Sequence, residues 1–166
     1  MIDKIYIDLD MTLADFDEGL MRICGIAPRN QESASEEDDK KLWEAIKEAE
    51  HFYAQLKPLE EGMAVFNTLY SRYGNKCEIL SAIPKPKRGI IHAKDDKLAW
   101  VKRYLGEDIK VNIVMREEKK DYVKGKGYIL IDDLKRNIDE WEDQGGTGIL
   151  FIDANTTLNK IEALEI

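Results

Sequence analysis

Five short apolar runs punctuate the chain: residues 4–10 (KIYIDLD), 77–82 (CEILSA), 111–115 (VNIVM), 128–131 (YILI) and 148–152 (GILFI). Each is nearly continuous in its hydrophobic character, which suits a strand covered on both faces. Between them the spacing turns helical. Residues 63–73 place Val65, Leu69 and Tyr73 on one side before Gly74, and residues 94–105 do the same with Leu98, Val101 and Leu105 before Gly106. Residues 137–144 pair Ile138 with Trp141 and stop at Gly145-Gly146, and residues 158–164 carry Leu158, Ile161 and Leu164. Glycine after the last periodic residue is a helix stop. Strands alternating with helices predict an α/β fold, Rossmann-like, with a parallel sheet, right-handed crossovers and helices on both faces. Ligands in such folds bind beyond the C-terminal strand ends, where the strand order reverses.

One stretch breaks the alternation. About fifty residues separate the first strand from the helix at residue 63, too many for a structureless loop in a compact domain. They hold a polar, acidic run over residues 30–41 and an amphipathic piece over 42–56 marked by Trp43, Ile46 and Phe52. The expected architecture is a single domain, with a core of residues 1–14 and 60–166. A small helical cap of residues 15–59 is inserted after the first strand, and residues 30–39 form its flexible connection.

Composition narrows the class. At 166 residues, 43% hydrophobic and 35% charged, the chain reads as one soluble globular domain. No apolar run is long enough for a membrane helix, and the N-terminus lacks the pattern of a signal peptide. Two cysteines, Cys24 and Cys77, are too few for a disulfide framework. They are expected as buried thiols in a reducing cytoplasm. A net charge of −8 argues against broad binding to nucleic-acid backbones, but leaves room for a small phosphorylated substrate in a locally basic pocket. The one dense basic segment, Pro84-Lys85-Pro86-Lys87-Arg88, is expected as a solvated surface turn.

The strand ends carry the chemistry. The first ends in Asp8-Leu9-Asp10, the second in Ser81-Ala82 and the fourth in Asp132-Asp133. Four carboxylates at one sheet edge repel one another unless a cation with oxygen ligands joins them, and Mg²⁺ suits that donor set. Asp8 is then a candidate nucleophile toward phosphorus, and Asp10 a general acid and base beside it. Ser81 offers a hydroxyl, the backbone near Ala82 offers N–H groups, and a lysine ahead of the fourth strand offers charge for the phosphoryl group. A phospho-accepting regulatory module also gathers acids and a lysine at a sheet edge, but has no use for Asp10.

These residues resemble the haloacid-dehalogenase-like (HAD) phosphatases, and within them the 5′(3′)-deoxyribonucleotidase family. The likeness runs in order through Asp8-Leu9-Asp10-Met11-Thr12-Leu13-Ala14-Asp15-Phe16, Leu56-Lys57-Pro58-Leu59-Glu60-Glu61-Gly62, Lys97-Leu98-Ala99-Trp100-Val101, Ile129-Leu130-Ile131-Asp132-Asp133, and Trp141 with Gly145-Gly146. The resemblance implies a Mg²⁺-dependent hydrolase of nucleoside monophosphates, with no nucleic-acid or membrane partner. Asp8 would be nucleophile and Asp10 acid/base, with Asp8, Asp10, Asp132 and Asp133 around the metal and Asp133 the direct ligand of its pair. It makes Lys97 one phosphate-gripping lysine. The second is Lys119 or Lys120, with Lys119 favoured by the spacing to Tyr122. Phe16 would line the nucleoside pocket, with Phe52 and Tyr53 as further stacking candidates. Ser81-Ala82 departs from the family's Thr-Ser, leaving one hydroxyl fewer. Alternative substrates are another small phosphate or a nucleic-acid 3′-phosphate end. Trp43, Trp100 and Trp141 are expected in the core, and His51 and His92, without partners at metal or triad spacing, on the surface.

Overall fold

The computed structural model describes residues 1–28 and 33–165. Five parallel strands, β1 (Lys4–Ile7), β2 (Cys77–Ala82), β3 (Val111–Val114), β4 (Tyr128–Asp132) and β5 (Thr147–Leu150), form one sheet in the order β3-β2-β1-β4-β5. The chain moves outward from β1 through β2 to β3, then crosses back to β4 on the other side of β1. That reversal makes β1 the centre of the sheet and the β1–β4 boundary its switch point.

Alternation within the strands builds two cores. Ile5, Ile7, Ile79, Ile129, Ile131 and Ile149 share one cluster with Val65, Phe66 and Leu69 of α3 (Glu60–Tyr73), Trp100 and Val101 of α4 (Ala93–Tyr104) and Ile161 of α6 (Ala154–Leu164). Tyr6, Leu80 and Leu130 point the other way, to Ile138 and Trp141 of α5 (Lys135–Asp143). Helices therefore cover both faces, as the apolar runs require. Trp100 and Trp141 are buried, whereas Trp43 is half-buried against the larger core. Cys77 is buried and Cys24 half-buried. Burial raises both thiols above their ordinary values, which leaves them poor nucleophiles. Among the described residues no helix is long and apolar enough to cross a membrane.

The inserted segment is more ordered than its composition suggests. It contains the short α1 (Phe16–Gly19), a π-helical turn (Leu20–Cys24), α2 (Glu36–Glu48) and a 3₁₀ turn (Phe52–Gln55). Residues 36–39, expected as flexible connection, are instead the first turn of α2. Ser35 caps that helix by accepting from the Asp38 N–H, and four acids in the first turn favour the positive end of the helix dipole. Residues 30–32 of the expected connection lie outside the described residues.

The first strand is also shorter than its apolar run. It ends at Ile7, and Asp8-Leu9-Asp10 leads into a tight turn in which the Leu9 carbonyl accepts from the N–H groups of Thr12, Leu13 and Ala14. Met11 adopts φ 61°, in the left-handed region that costs a side-chain-bearing residue roughly 1–2 kcal/mol. The turn is held from outside by Leu59 N–H on the Leu13 carbonyl and by Asp15 N–H on the Lys57 carbonyl, both 2.8 Å. The first turn of α3 presses on it so closely that a Cβ at Gly62 would stand 1.7 Å from the Thr12 carbonyl oxygen. Backbone cannot yield as a side-chain tip can. Gly62→Ala is expected to destabilise the protein by about 1–3 kcal/mol or more, as overpacked sites do. It should also lower turnover by displacing the turn beside Asp10. Denaturant unfolding and initial rates on the same preparation check both effects.

Candidate active site

Parallel register brings the acids together. Ile7 of β1 lies opposite Ile131 of β4, and the Asp8 N–H extends the ladder by donating to the Ile131 carbonyl at 3.0 Å. The next residue on each strand is an aspartate, so Asp8 and Asp132 leave the sheet side by side. Asp8, Asp132 and Asp133 each place a carboxylate oxygen within 4.8 Å of the others. Asp8 and Asp132 are buried and Asp133 is partly exposed.

Lys119 lies between two of them. Its Nζ donates to Asp8 Oδ1 and to Asp132 Oδ2, both at 2.8 Å, and the residue is 2% exposed. Burial alone would lower the ammonium's pKa, but Asp8 and Asp132 together hold it above its usual value. Lys120 is only half-buried and makes neither contact. Asp132 is fixed further by the Leu134 N–H at 2.9 Å and by Asn137 Nδ2 at 3.0 Å. Asn137 is in turn gripped by Arg116, which pairs with Glu140 at 2.8 Å. The Asn137–Arg116 support is absent from the reading of the sequence. Its only signal there was a polar residue in the first turn of a helix, a position that many surface residues occupy.

A second lysine serves the second acid. Lys97, on α4 and 1% exposed, donates at 2.9 Å to each of Asp10 Oδ2, Ser81 Oγ and the Ala82 carbonyl. Its Nζ also lies 4.5 Å from the centroid of the Tyr53 ring, a cation–π contact. The Asp10 carboxylate thus pairs with Lys97 rather than joining the three-acid cluster. Ser81 is fully buried, with its hydroxyl on Lys97. Phe16 is buried edge-on to Phe52 at 5.5 Å and tilted against Tyr53 at 6.2 Å, so the three rings form one aromatic wall.

The histidines are exposed, as expected, but they are not without partners. His51 Nδ1 lies 2.8 Å from Asp96 Oδ1, and the His51 and His92 rings stack with centroids 4.4 Å apart. Hydrogen bonding to Asp96 raises the His51 pKa. The spacing of 45 residues between His51 and Asp96 hid this pair. It fastens the turn that carries Phe52 and Tyr53 to the helix that carries Lys97.

The electrostatics of the acid cluster point to a cation. Burial, then Asp132, pushes Asp8 up to about 6, and burial, then Asp8, pushes Asp133 up to about 9. With all three carboxylates ionised, one ammonium leaves two negative charges, the charge of one divalent ion. All the donors are hard oxygens, as Mg²⁺ prefers. Asp132 already accepts three hydrogen bonds, from Lys119, Asn137 and the Leu134 N–H. Asp8 and Asp133 would therefore hold such an ion directly, with Asp132 setting the field around them.

The family described as 5′ nucleotidase, deoxy (pyrimidine), cytosolic type C protein matches residues 1–162. The chain belongs to this family. A relative in Vibrio phage KVP40, provisionally named a 5′(3′)-deoxyribonucleotidase, is 29% identical over 139 residues, covering 80% of this chain and 67% of its own. The fold is shared with a HAD-superfamily hydrolase from Ehrlichia chaffeensis (TM-score 0.51, 16% identity, all of both chains). It is shared also with an L-2-haloacid dehalogenase from Xanthobacter autotrophicus (TM-score 0.53, 12% identity, 98% of this chain and 83% of that one). The protein is accordingly an enzyme, a phosphatase of the 5′-nucleotidase type, built on a HAD-like fold.

Folding raises Asp8 and Asp133 above their ordinary values, so the native nucleotidase binds protons that the unfolded chain releases. Without a cation, this pair's contribution to stability is greatest in acid and falls as pH rises through about 6 and on toward about 9. Cation-free protein is expected to lose thermal stability over that window, and Asp133→Asn to lose less. Added Mg²⁺ should raise the melting temperature most at the alkaline end for the wild type, and little for the variant. Calorimetry across pH, with and without the ion, measures all four.

Proposed function

We propose that the nucleotidase hydrolyses the phosphomonoester of a (deoxy)nucleoside monophosphate with Mg²⁺ bound, through a phosphoryl group carried transiently on Asp8. The observation that carries this reading is the pairing of two buried lysines with two acids two residues apart: Lys119 on Asp8 and Lys97 on Asp10. Each ammonium fixes its carboxylate, and both gather positive charge where a phosphate would enter.

In the first step Asp8 attacks phosphorus, the ester P–O bond breaks, and Asp10 gives its proton to the leaving nucleoside oxygen. In the second, Asp10 takes a proton from water as that water attacks the phosphorus on Asp8. The acyl phosphate P–O bond then breaks, releasing phosphate and restoring the Asp8 carboxylate. Lys119, Lys97 and the Ser81 hydroxyl orient the phosphoryl oxygens, and the backbone at Ala82 borders them. Mg²⁺, held by Asp8 and Asp133, would neutralise charge on the phosphoryl oxygens as the ester bond breaks.

Residues 15–59 would act as the cap over a core of 1–14 and 60–166. Supporting this division, the 3₁₀ turn brings Tyr53 over Lys97 while Trp100 Nε1 of α4 donates to the Leu56 carbonyl at 2.9 Å. Phe16, Phe52 and Tyr53 would then offer an apolar wall to the nucleoside, and closure would exclude water from the reacting phosphate.

A panel of ribo- and deoxynucleoside 5′- and 3′-monophosphates, read by phosphate release with Mg²⁺, tests the reading. Turnover is expected on nucleotides, with loss in excess chelator. Asp8→Asn should lower kcat by about 10³-fold or more while still unfolding in one cooperative transition, its midpoint lowered by loss of the charge that Lys119 faces. Hydrolysis by that variant near the wild-type rate would end the covalent mechanism.

A further inference from the structure

The basic segment after β2 is the surface turn expected of it, with Lys85 and Lys87 exposed and Arg88 half-buried. It leaves the sheet at Ala82, whose carbonyl accepts from Lys97, and forms a 3₁₀ turn (Pro86–Arg88) closed by Gly89 at φ 69°. Helix α2 of the inserted segment packs on this turn. The Lys47 side chain lies along Gly89, its Nζ 3.2 Å from where a Cβ would stand. Two elements far apart in sequence thus bring Lys47 to the segment that carries Lys85, Lys87 and Arg88.

None of these four cations has a carboxylate oxygen within 4.0 Å among the described residues. Partners are not scarce, because the chain carries 33 acids against 25 bases. On α2 itself Lys40 and Lys41 each take a glutamate one turn away, whereas Lys47 does not. Gathering like charges without counter-charge is unfavourable, and an anion relieves it.

The patch is also within reach of the reaction centre. Lys85 is three residues beyond Ala82, so their α-carbons are at most about 11 Å apart. The four-carbon stem of lysine extends the reach of its charge. The phosphate being cleaved belongs to Lys119, Lys97 and Ser81. An anion at the patch is therefore a second one.

Resting on the nucleotidase reading, we propose that Lys47, Lys85, Lys87 and Arg88 form a second anion subsite. It takes a further phosphoryl group on the nucleoside, making a nucleoside 3′,5′-bisphosphate a preferred substrate. The test compares kcat/KM for a deoxynucleoside 5′-monophosphate and the matching 3′,5′-bisphosphate at fixed Mg²⁺ and ionic strength. The proteins are wild type, Lys47→Gln, and a variant combining Lys85→Gln, Lys87→Gln and Arg88→Gln. The triple variant should lose about ten- to a hundredfold on the bisphosphate, the size expected when one or two charge-assisted contacts go. Its monophosphate rate should barely change, which also shows that it has folded, and Lys47→Gln should show a smaller loss of the same selectivity. Equal losses on both substrates would make the patch a general attractor of anions and overturn the subsite. So would no loss on either. A wild type that turns over a simple phosphate ester but neither nucleotide would overturn the nucleotidase reading, and the subsite with it. Activity on the monophosphate without selective loss overturns the subsite alone.

Discussion

The Lys119 ammonium sits between Asp8 and Asp132, and the architecture around the site exists to keep it there. An ammonium 2% exposed is costly to desolvate, and two carboxylates on adjacent parallel strands are costly to hold together. Each cost is offset by the other. Removing one partner from such a buried arrangement typically costs about 3–5 kcal/mol, because the charges left behind lose their compensation. The compensation is incomplete: Asp133 adds a third carboxylate, whose pKa is raised first by its burial and then by the charges of Asp8 and Asp132. A site that binds protons tightly when empty is one that a divalent cation or a protein-bound phosphoryl chemistry can use.

The rest of the structure arranges itself around that point. Because β1 is central, Asp8 leaves a strand buried on both faces, and its backbone is anchored by β4. Gly62 lets α3 close on the turn that follows, so that the strained Met11 cannot relax and shift Asp10. Asn137, held by Arg116, keeps Asp132 from turning away from Lys119. The Asn137–Asp132 contact is buried and hydrogen-bonded on both sides, the condition under which polar networks rigidify a site rather than weaken it.

The inserted segment meets α4 at three points near the second lysine: the Leu56 carbonyl on Trp100, His51 on Asp96, and the Tyr53 ring on Lys97. The aromatic wall is therefore mechanically joined to the residue that holds Asp10. Movement of the segment would be felt at Lys97 first, since the packing there is continuous from Phe16 through Phe52 and Tyr53.

Local physics made much of this legible from residues alone. Continuous apolar runs ending in Asp8, Ser81 and Asp132 imply buried parallel strands, and parallel strands place their ends at one edge. The parallel sheet, its two covered faces and the gathering of Asp8, Asp132 and Asp133 therefore needed no coordinates, whereas the withdrawal of Asp10 from them to Lys97 did. Boundaries were less legible. The run through Leu9 reads as strand, yet the chain turns after Ile7 because Leu9 points into the core from a loop rather than a ladder. The acidic stretch at residues 36–39 reads as flexible until Ser35 is recognised as its cap. What only the tertiary structure decided are the partnerships across distance: Lys119 with Asp8 over 111 residues, Lys97 with Asp10 over 87, and His51 with Asp96 over 45. Periodicity carries information over a few turns of chain. The spacing to Tyr122 already favoured Lys119 over Lys120, but which carboxylates it meets, and which histidine finds one, depends on how whole elements pack, and no local pattern encodes that.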